Sequence, residues 1–204
     1  MAKRSRQTRR VAATSNTYRF FINAAALHGR EVTVEDDDFA HQVSNVLRLR
    51  TGDRLLLLDN SGWQYVVELV AIEHGRVKGV VEHKELAHGE PRTKVTLYTA
   101  LMRPERFEWA LQKGTELGVS SFVPVICERS TIADANDLSE RKIERWERIV
   151  REAAEQSCRG KLPRIASALF FPVACDQAAK RGAALLLWEG SDAIPFRQAL
   201  RASS

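Results

Sequence analysis

The sequence predicts an α/β protein in two parts: a compact N-terminal β-barrel, then a region in which strands alternate with helices. Three observations predict it. Residues 18–82 hold short strand-like segments divided by turn residues, with one small helix among them. Ala87-His88-Gly89-Glu90-Pro91 then interrupts both periodicities, because Gly and Pro close together stop helix and strand alike. After it the rhythm becomes strand, helix, strand, helix, which predicts a parallel sheet.

Residues 1–17 carry Lys3, Arg4, Arg6, Arg9 and Arg10 with no acid, and the whole chain of 204 residues has a net charge of +5, so residues 11–204 sum to zero. Such an arm buries no apolar surface and is expected to stay disordered until it meets a polyanion. Arg19–Ile22, Glu31–Val34, Arg54–Leu58, Tyr65–Ile72 and Arg76–Val81 read as strands, and Asp59-Asn60-Ser61-Gly62 and Glu73-His74-Gly75 supply the turn residues between them. Asp36-Asp37-Asp38 opens a helix with Phe39, Val43, Val46 and Leu47 on one face and Arg48 and Arg50 at its end. Short strands with one small helix suggest a barrel that closes its own edges.

In the second part Thr93–Leu101 reads as a strand. A helix follows, opened by Pro104, burying Phe107, Ala110, Leu111 and Leu117, and capped by Gly118. Ser121–Cys127 is the next strand. Asp137 and Glu140 have capping-box spacing ahead of a long amphipathic helix through Ile143, Trp146, Ile149, Val150, Ala153 and Ala154, which Gly160 and Pro163 stop. A strand near Arg164–Ala166, a helix over Pro172–Arg181, a strand over Ala184–Trp188 and a helical pattern over Ile194–Leu200 complete the pass.

The composition, 44% hydrophobic, suits a packed core, and the longest aliphatic runs, Leu55–Leu58 and Leu185–Leu187, are too short to cross a bilayer. With no apolar segment behind the N-terminal charges, a cytoplasmic location is expected. Cys127, Cys158 and Cys175 form no C-x-x-C pair and have no histidine at ligand spacing, so no metal is expected and the thiols read as those of a reducing compartment. Neither a phosphate-cradling glycine motif nor H-E-x-x-H nor G-x-S-x-G occurs, which sets nucleotide hydrolysis, zinc proteolysis and serine hydrolysis aside.

Polar residues concentrate at two helix ends. Lys113, Thr115 and Glu116 precede Gly118; they are either an ordinary helix end, with Thr115 bonded back to its own helix, or a pair, Lys113 and Glu116, facing a cleft at the sheet edge. Glu152, Glu155, Gln156, Ser157 and Arg159 are either a charged last turn or acid, amide and guanidinium placed for a nucleobase edge and its phosphate.

Arg19-Phe20-Phe21, Val46-Leu47-Arg48 before Gly52-Asp53, Lys113 to Val119 before Pro124, Glu128-Arg129-Ser130, Arg145-Trp146, and Glu152 to Arg159 before Pro163 occur in one order. Together they resemble the RsmE family, small-subunit ribosomal RNA uridine-N3 methyltransferases of the SPOUT superfamily, over roughly Tyr18 to Trp188. The resemblance implies a PUA-like RNA-binding barrel over 18–86, a linker over 87–92, and a SPOUT-type, trefoil-knot α/β domain over 93–204. It implies S-adenosylmethionine as methyl donor, small-subunit (16S) ribosomal RNA as substrate and a homodimer. Arg19, Arg48, Arg50, Lys113 and Glu116 are its expected RNA contacts. Arg159 would fix the target phosphate or carbonyl, Gln156 would read the base edge, and Glu155 would help the imide proton leave.

Family members continue past the strand matching Leu185–Trp188 into a Gly-Pro-Glu-Gly-Gly loop and a Leu-Arg-x-Glu-Thr-Ala segment, and neither word occurs here. The expectation is therefore a SPOUT domain truncated before its knot, with no assignable donor ligand and poor binding of the methyl donor. An apolar face and an edge strand left uncovered would favour aggregation or unusual dimers. The alternative from another class is a non-catalytic rRNA-binding fragment. A metabolic α/β enzyme explains neither the barrel nor the basic arm.

Overall fold

The computed structural model describes residues 18–130, 134, 138–187 and 190–202. The basic arm of residues 1–17, the capping residue Asp137 and Trp188 lie outside the described residues. The chain divides into two compact units, one built from the described residues up to Glu90 together with Glu155–Lys161, the other from Pro91–Ala154 and from Leu162 onward.

The first unit contains β1 (Arg19–Phe21), β2 (Leu27–His28), β3 (Glu31–Glu35), α1 (Asp37–His41), β4 (Arg54–Leu58), β5 (Trp63–Glu73) and β6 (Arg76–Leu86). They form one six-stranded sheet in the order β1-β4-β5-β6-β3-β2, with β1 parallel to β4 and the other pairs antiparallel. Leu55 to Leu58 are buried on both faces of β4, which is why that strand is an unbroken aliphatic run rather than an alternating one. Leu55 and Leu57 join Phe20, Val32, Phe39, Val43, Val67 and Leu69 in the core, where Phe20 and Phe39 meet edge to face at 5.2 Å. Two bulges, at Val66/Val67 and Leu69/Ala71, interrupt the β5–β6 ladder.

The small helix departs from the sequence expectation in its period. Asp36 caps it as its acidic start suggests, its carboxylate accepting the Phe39 N–H at 2.9 Å. After His41, however, residues Gln42–Val46 wind as a π-turn, with the Leu47 N–H donating to the Gln42 carbonyl. The wider turn keeps Phe39 and Val43 buried and rotates Val46 into solvent, at 62% exposed. Arg48 follows in the left-handed region at φ 56°. A 3.6-residue period could not foresee this.

The second unit contains β7 (Val95–Ala100), α2 (Pro104–Glu116), β8 (Val119–Ile126), α3 (Glu140–Gln156), β9 (Arg164–Ile165), β10 (Leu169–Phe170), α4 (Phe171–Ala179) and α5 (Phe196–Ala202), the last two residues of α3 belonging with the first unit. Its sheet is parallel throughout: β7 and β10 flank β8, and β9 also pairs with β8. The strand expected near Arg164 is thus two short pieces along one side of β8, opposite Ser121–Phe122 and Val125–Ile126. Residues 184–187, expected as a strand, have no strand pairing; Leu186 and Leu187 are exposed.

The helices show why their sequences look as they do. Along α2 the buried positions are Phe107, Leu111, Gly114 and Thr115. Leu117, expected in that face, is 86% exposed, because the inward stripe passes through Gly114 and Thr115 and leaves Leu117 at the helix cap. Gly118 takes φ 97°, the left-handed conformation its position called for. On α3, Trp146, Val150, Ala153 and Ala154 are buried, and Trp146 packs on Phe107 with ring centres 4.5 Å apart.

Candidate functional site

The end of α3 and the turn after it form a polar cluster within the first unit. Cys158 has φ 60°, so the chain reverses immediately after the helix, and its N–H donates to the Glu155 carbonyl at 3.3 Å. Arg159 then turns inward and is 2% exposed. Its Nε and Nη2 donate to the two carboxylate oxygens of Glu90 at 3.1 and 3.2 Å, and Glu90 Oε1 also accepts the Lys161 N–H at 3.0 Å. Glu155 Oε1 accepts the backbone N–H of Phe21 in β1 at 2.9 Å. Gln156 is exposed.

Two glycines allow this. A Cβ on Gly89 would lie 2.1 Å from the Cys158 carbonyl oxygen, and one on Gly160 would lie 2.5 Å from the Ala87 Cβ. Residues 87–90 and 158–161 therefore meet backbone to backbone, a contact only glycine permits. The stretch that the sequence presents as a linker supplies the partner carboxylate of a buried guanidinium. Sequence reasoning missed Glu90; its one local signal is that Gly89 and Gly160 each neighbour a member of the pair.

Of the expected RNA contacts in the first unit, Arg19 is half-buried and donates from Nη1 to Gln64 Oε1 at 2.7 Å. Gln64 is itself buried and donates from Nε2 to Glu85 at 2.6 Å, so the amide orients the guanidinium. Arg48 and Arg50 are exposed on the loop after the π-turn, where the Arg50 N–H donates to the Asp53 carboxylate at 2.8 Å. Arg48 sits two residues past the turn in a conformation that favours glycine, held by the Leu49 N–H to Val43 carbonyl bond at 3.0 Å.

In the second unit Lys113 and Glu116 form an i, i+3 ion pair, the ammonium 2.9 Å from both carboxylate oxygens. Thr115 bonds back to the Leu111 carbonyl at 2.8 Å. A half-open groove of about 340 Å³ lies past the C-terminal end of β7, lined by Leu101, Met102, Pro104, Arg141 and Lys142 with Phe107 and Trp146 as floor. On its rim Arg145 forks onto Glu108 at 2.6 and 2.7 Å. The hydrogen bond and charge of Arg145 hold the Glu108 carboxyl below its ordinary range. Among the described residues no group of three or more His, Cys, Asp or Glu could hold a metal ion, and no helix is long and apolar enough to cross a membrane.

The family model described as an RNA methyltransferase domain matches residues 89–203. The chain belongs to this family. Among its relatives, the ribosomal RNA small subunit methyltransferase E of Bacillus subtilis is 34% identical over 125 residues, covering 61% of this chain and 49% of that protein. The Synechocystis protein of the same name is 39% identical over 134 residues, covering 64% of this chain and 41% of its own length. The chain thus spans about half, or less, of the length of these two relatives. A crystal structure of the Neisseria gonorrhoeae ribosomal RNA small subunit methyltransferase E bound to S-adenosyl methionine superposes with a TM-score of 0.73 at 28% identity, covering 83% of this chain and 69% of that one.

Proposed function

We propose that this chain acts in an RsmE-type reaction that transfers a methyl group from S-adenosylmethionine to N3 of one uridine in small-subunit ribosomal RNA. The observation that carries this reading is the family match over residues 89–203, joined to the likeness of the chain to a relative bound to S-adenosyl methionine. On this reading the six-stranded unit is the PUA-like, RNA-binding part, the parallel-sheet unit is the SPOUT-type part, and the protein works in the cytoplasm as a homodimer.

The donor supplies a methyl carried on a sulfonium, and the protein's part is positioning plus a route for the imide proton. The groove of the second unit does not fit the donor. Its aromatic floor, Phe107 and Trp146, is 1% and 3% exposed and packed ring on ring, leaving no face for an adenine, and Arg145 is committed to Glu108. Gln156 is exposed at the end of α3, which supports its proposed part in reading a base edge, with Glu155 and Arg159 holding the turn beside it. Arg19, Arg48, Arg50 and the Lys113–Glu116 pair are the contacts proposed for RNA.

A second reading is that the chain binds ribosomal RNA without transferring a methyl. Incubating it with methyl-labelled S-adenosylmethionine and unmodified small ribosomal subunits separates the two. Label in the RNA, with a reverse-transcription stop at one uridine, is the result expected of the enzyme. Label on another base would overturn the N3-uridine assignment; retention of RNA with no label would establish the second reading.

A further inference from the structure

A second group of side chains in the first unit takes no part in the cluster around Arg159. Trp63 opens β5 opposite Leu86 of β6, and both are exposed, at 37% and 57%. Two residues along, Tyr65 faces Lys84, whose Nζ lies 4.7 Å from the Trp63 ring centre and 5.1 Å from that of Tyr65. The Tyr65 hydroxyl donates to Asp59 at 2.8 Å, which fixes that ring. Lys84 is therefore held against two aromatic faces, and it forms no ion pair among the described residues.

A second ammonium lies alongside. A Cβ on Gly62, the residue before Trp63, would lie 3.2 Å from the Lys161 Cε, so the Lys161 stem runs over the turn leading into Trp63. Lys161 is exposed and likewise forms no ion pair among the described residues. The neighbouring carboxylates are already engaged: Asp59 by Ser61 and Tyr65, Glu85 by Gln64, and Glu90 by Arg159 and the Lys161 N–H.

An exposed indole beside two ammonium groups that form no ion pair among the described residues has the composition of a stacking platform for unpaired bases: the ring takes a base face, and the cations take the flanking phosphates. A duplex offers no free base face to such a ring, and an apolar protein surface would leave both lysines desolvated without counter-charge. We infer that Trp63, with Lys84 and Lys161, is a docking surface for a single-stranded segment of RNA. The inference rests on the RNA-directed reading above and deepens it by naming the form of RNA and the residue that receives it.

The test is equilibrium binding of a uridine-containing single-stranded RNA oligonucleotide and of the matching duplex to the whole chain and to Trp63→Ala, Trp63→Phe and Lys161→Ala. Tryptophan fluorescence is recorded alongside, across a salt series. The wild-type chain is expected to prefer the single strand, with indole quenching that Trp63→Phe removes. Trp63→Ala should weaken binding about tenfold with an unchanged salt slope, Trp63→Phe should keep most of the affinity, and Lys161→Ala should flatten the slope by about one. Should Trp63→Ala unfold, the quenching difference between wild type and Trp63→Phe decides. Equal binding of single strand and duplex, Trp63→Ala within twofold of wild type, or undiminished quenching in Trp63→Phe each overturns the inference while leaving the RNA-directed reading intact. A wild-type chain that binds neither RNA overturns both.

Discussion

At the scale of single residues, Arg159 shows how a side chain's chemistry and its use can separate. In the sequence it ends a polar helix and suits a phosphate; in the fold it is 2% exposed and forked onto Glu90. Removing one member of a buried, hydrogen-bonded pair leaves the other charged and desolvated, which costs about 3–5 kcal/mol. Arg159→Met is therefore expected to lower the urea midpoint of unfolding by that stability, measured with no RNA present. Arg159→Lys should not restore it, since one ammonium cannot reproduce the planar two-bond fork. The double variant Glu90→Gln/Arg159→Met should lose clearly less than the two single losses added together, because it no longer strands a charge. An Arg159→Met variant as stable as the parent would show that the pair does not hold the turn after α3. Little of this was legible locally: the partners are 69 positions apart, and beyond a glycine beside each partner nothing in Gly89-Glu90-Pro91 distinguishes a linker from a close backbone contact.

At the scale of elements, much more could be read. Turn residues, capping acids and apolar spacing located every strand of three or more residues and every α-helix, because these signals act over a few neighbours, but β6 runs five residues past its expected end at Val81 and the strand expected from Ala184 has no pairing. The π-turn after His41 escaped because it changes the period itself. The stretch from Lys113 to Val119 shows what a family word encodes: Thr115 bonds to its own helix, Gly118 takes a left-handed turn, and Gly114 lets α2 approach β8. A Cβ on Gly114 would lie 2.7 and 2.9 Å from two ring atoms of Phe122, which is fully buried. Gly114→Ala gains about 1 kcal/mol of helix propensity, whereas overpacking a fixed core ring costs about 1–3 kcal/mol. The clash should win, and the variant should melt a few degrees lower; a higher melting temperature would mean that the ring moves aside. Phe122→Leu in the Gly114→Ala background should recover part of the loss by vacating the volume the methyl needs.

At the scale of the whole molecule, charge and architecture are separate. The chain's net +5 is accounted for by Lys3, Arg4, Arg6, Arg9 and Arg10, and residues 11–204 are neutral in sum. That zero hides a separation: residues 18–90 and 155–161 of the first unit carry a net charge of −3, and residues 91–154 and 162–204 of the second carry +3. The first unit thus offers a polyanion no long-range attraction, only local groups such as Arg48, Arg50, Lys84 and Lys161. Counterion release scales with the number of phosphates neutralised, so the strength and the selectivity of RNA binding should respond to different deletions. Removing residues 1–17 is expected to flatten the log–log salt dependence of RNA binding by about 4, from five cations at roughly 0.7–0.9 each. The same deletion should leave the preference for single strand over duplex unchanged, because that preference resides in the first unit. Both are read from one titration series, comparing residues 1–204 with 18–204 between low and moderate salt. A slope that does not change would place the phosphate contacts on the arginines after the π-turn, and Arg48→Gly, which also relieves a left-handed arginine, would then flatten it by about one while raising the melting temperature.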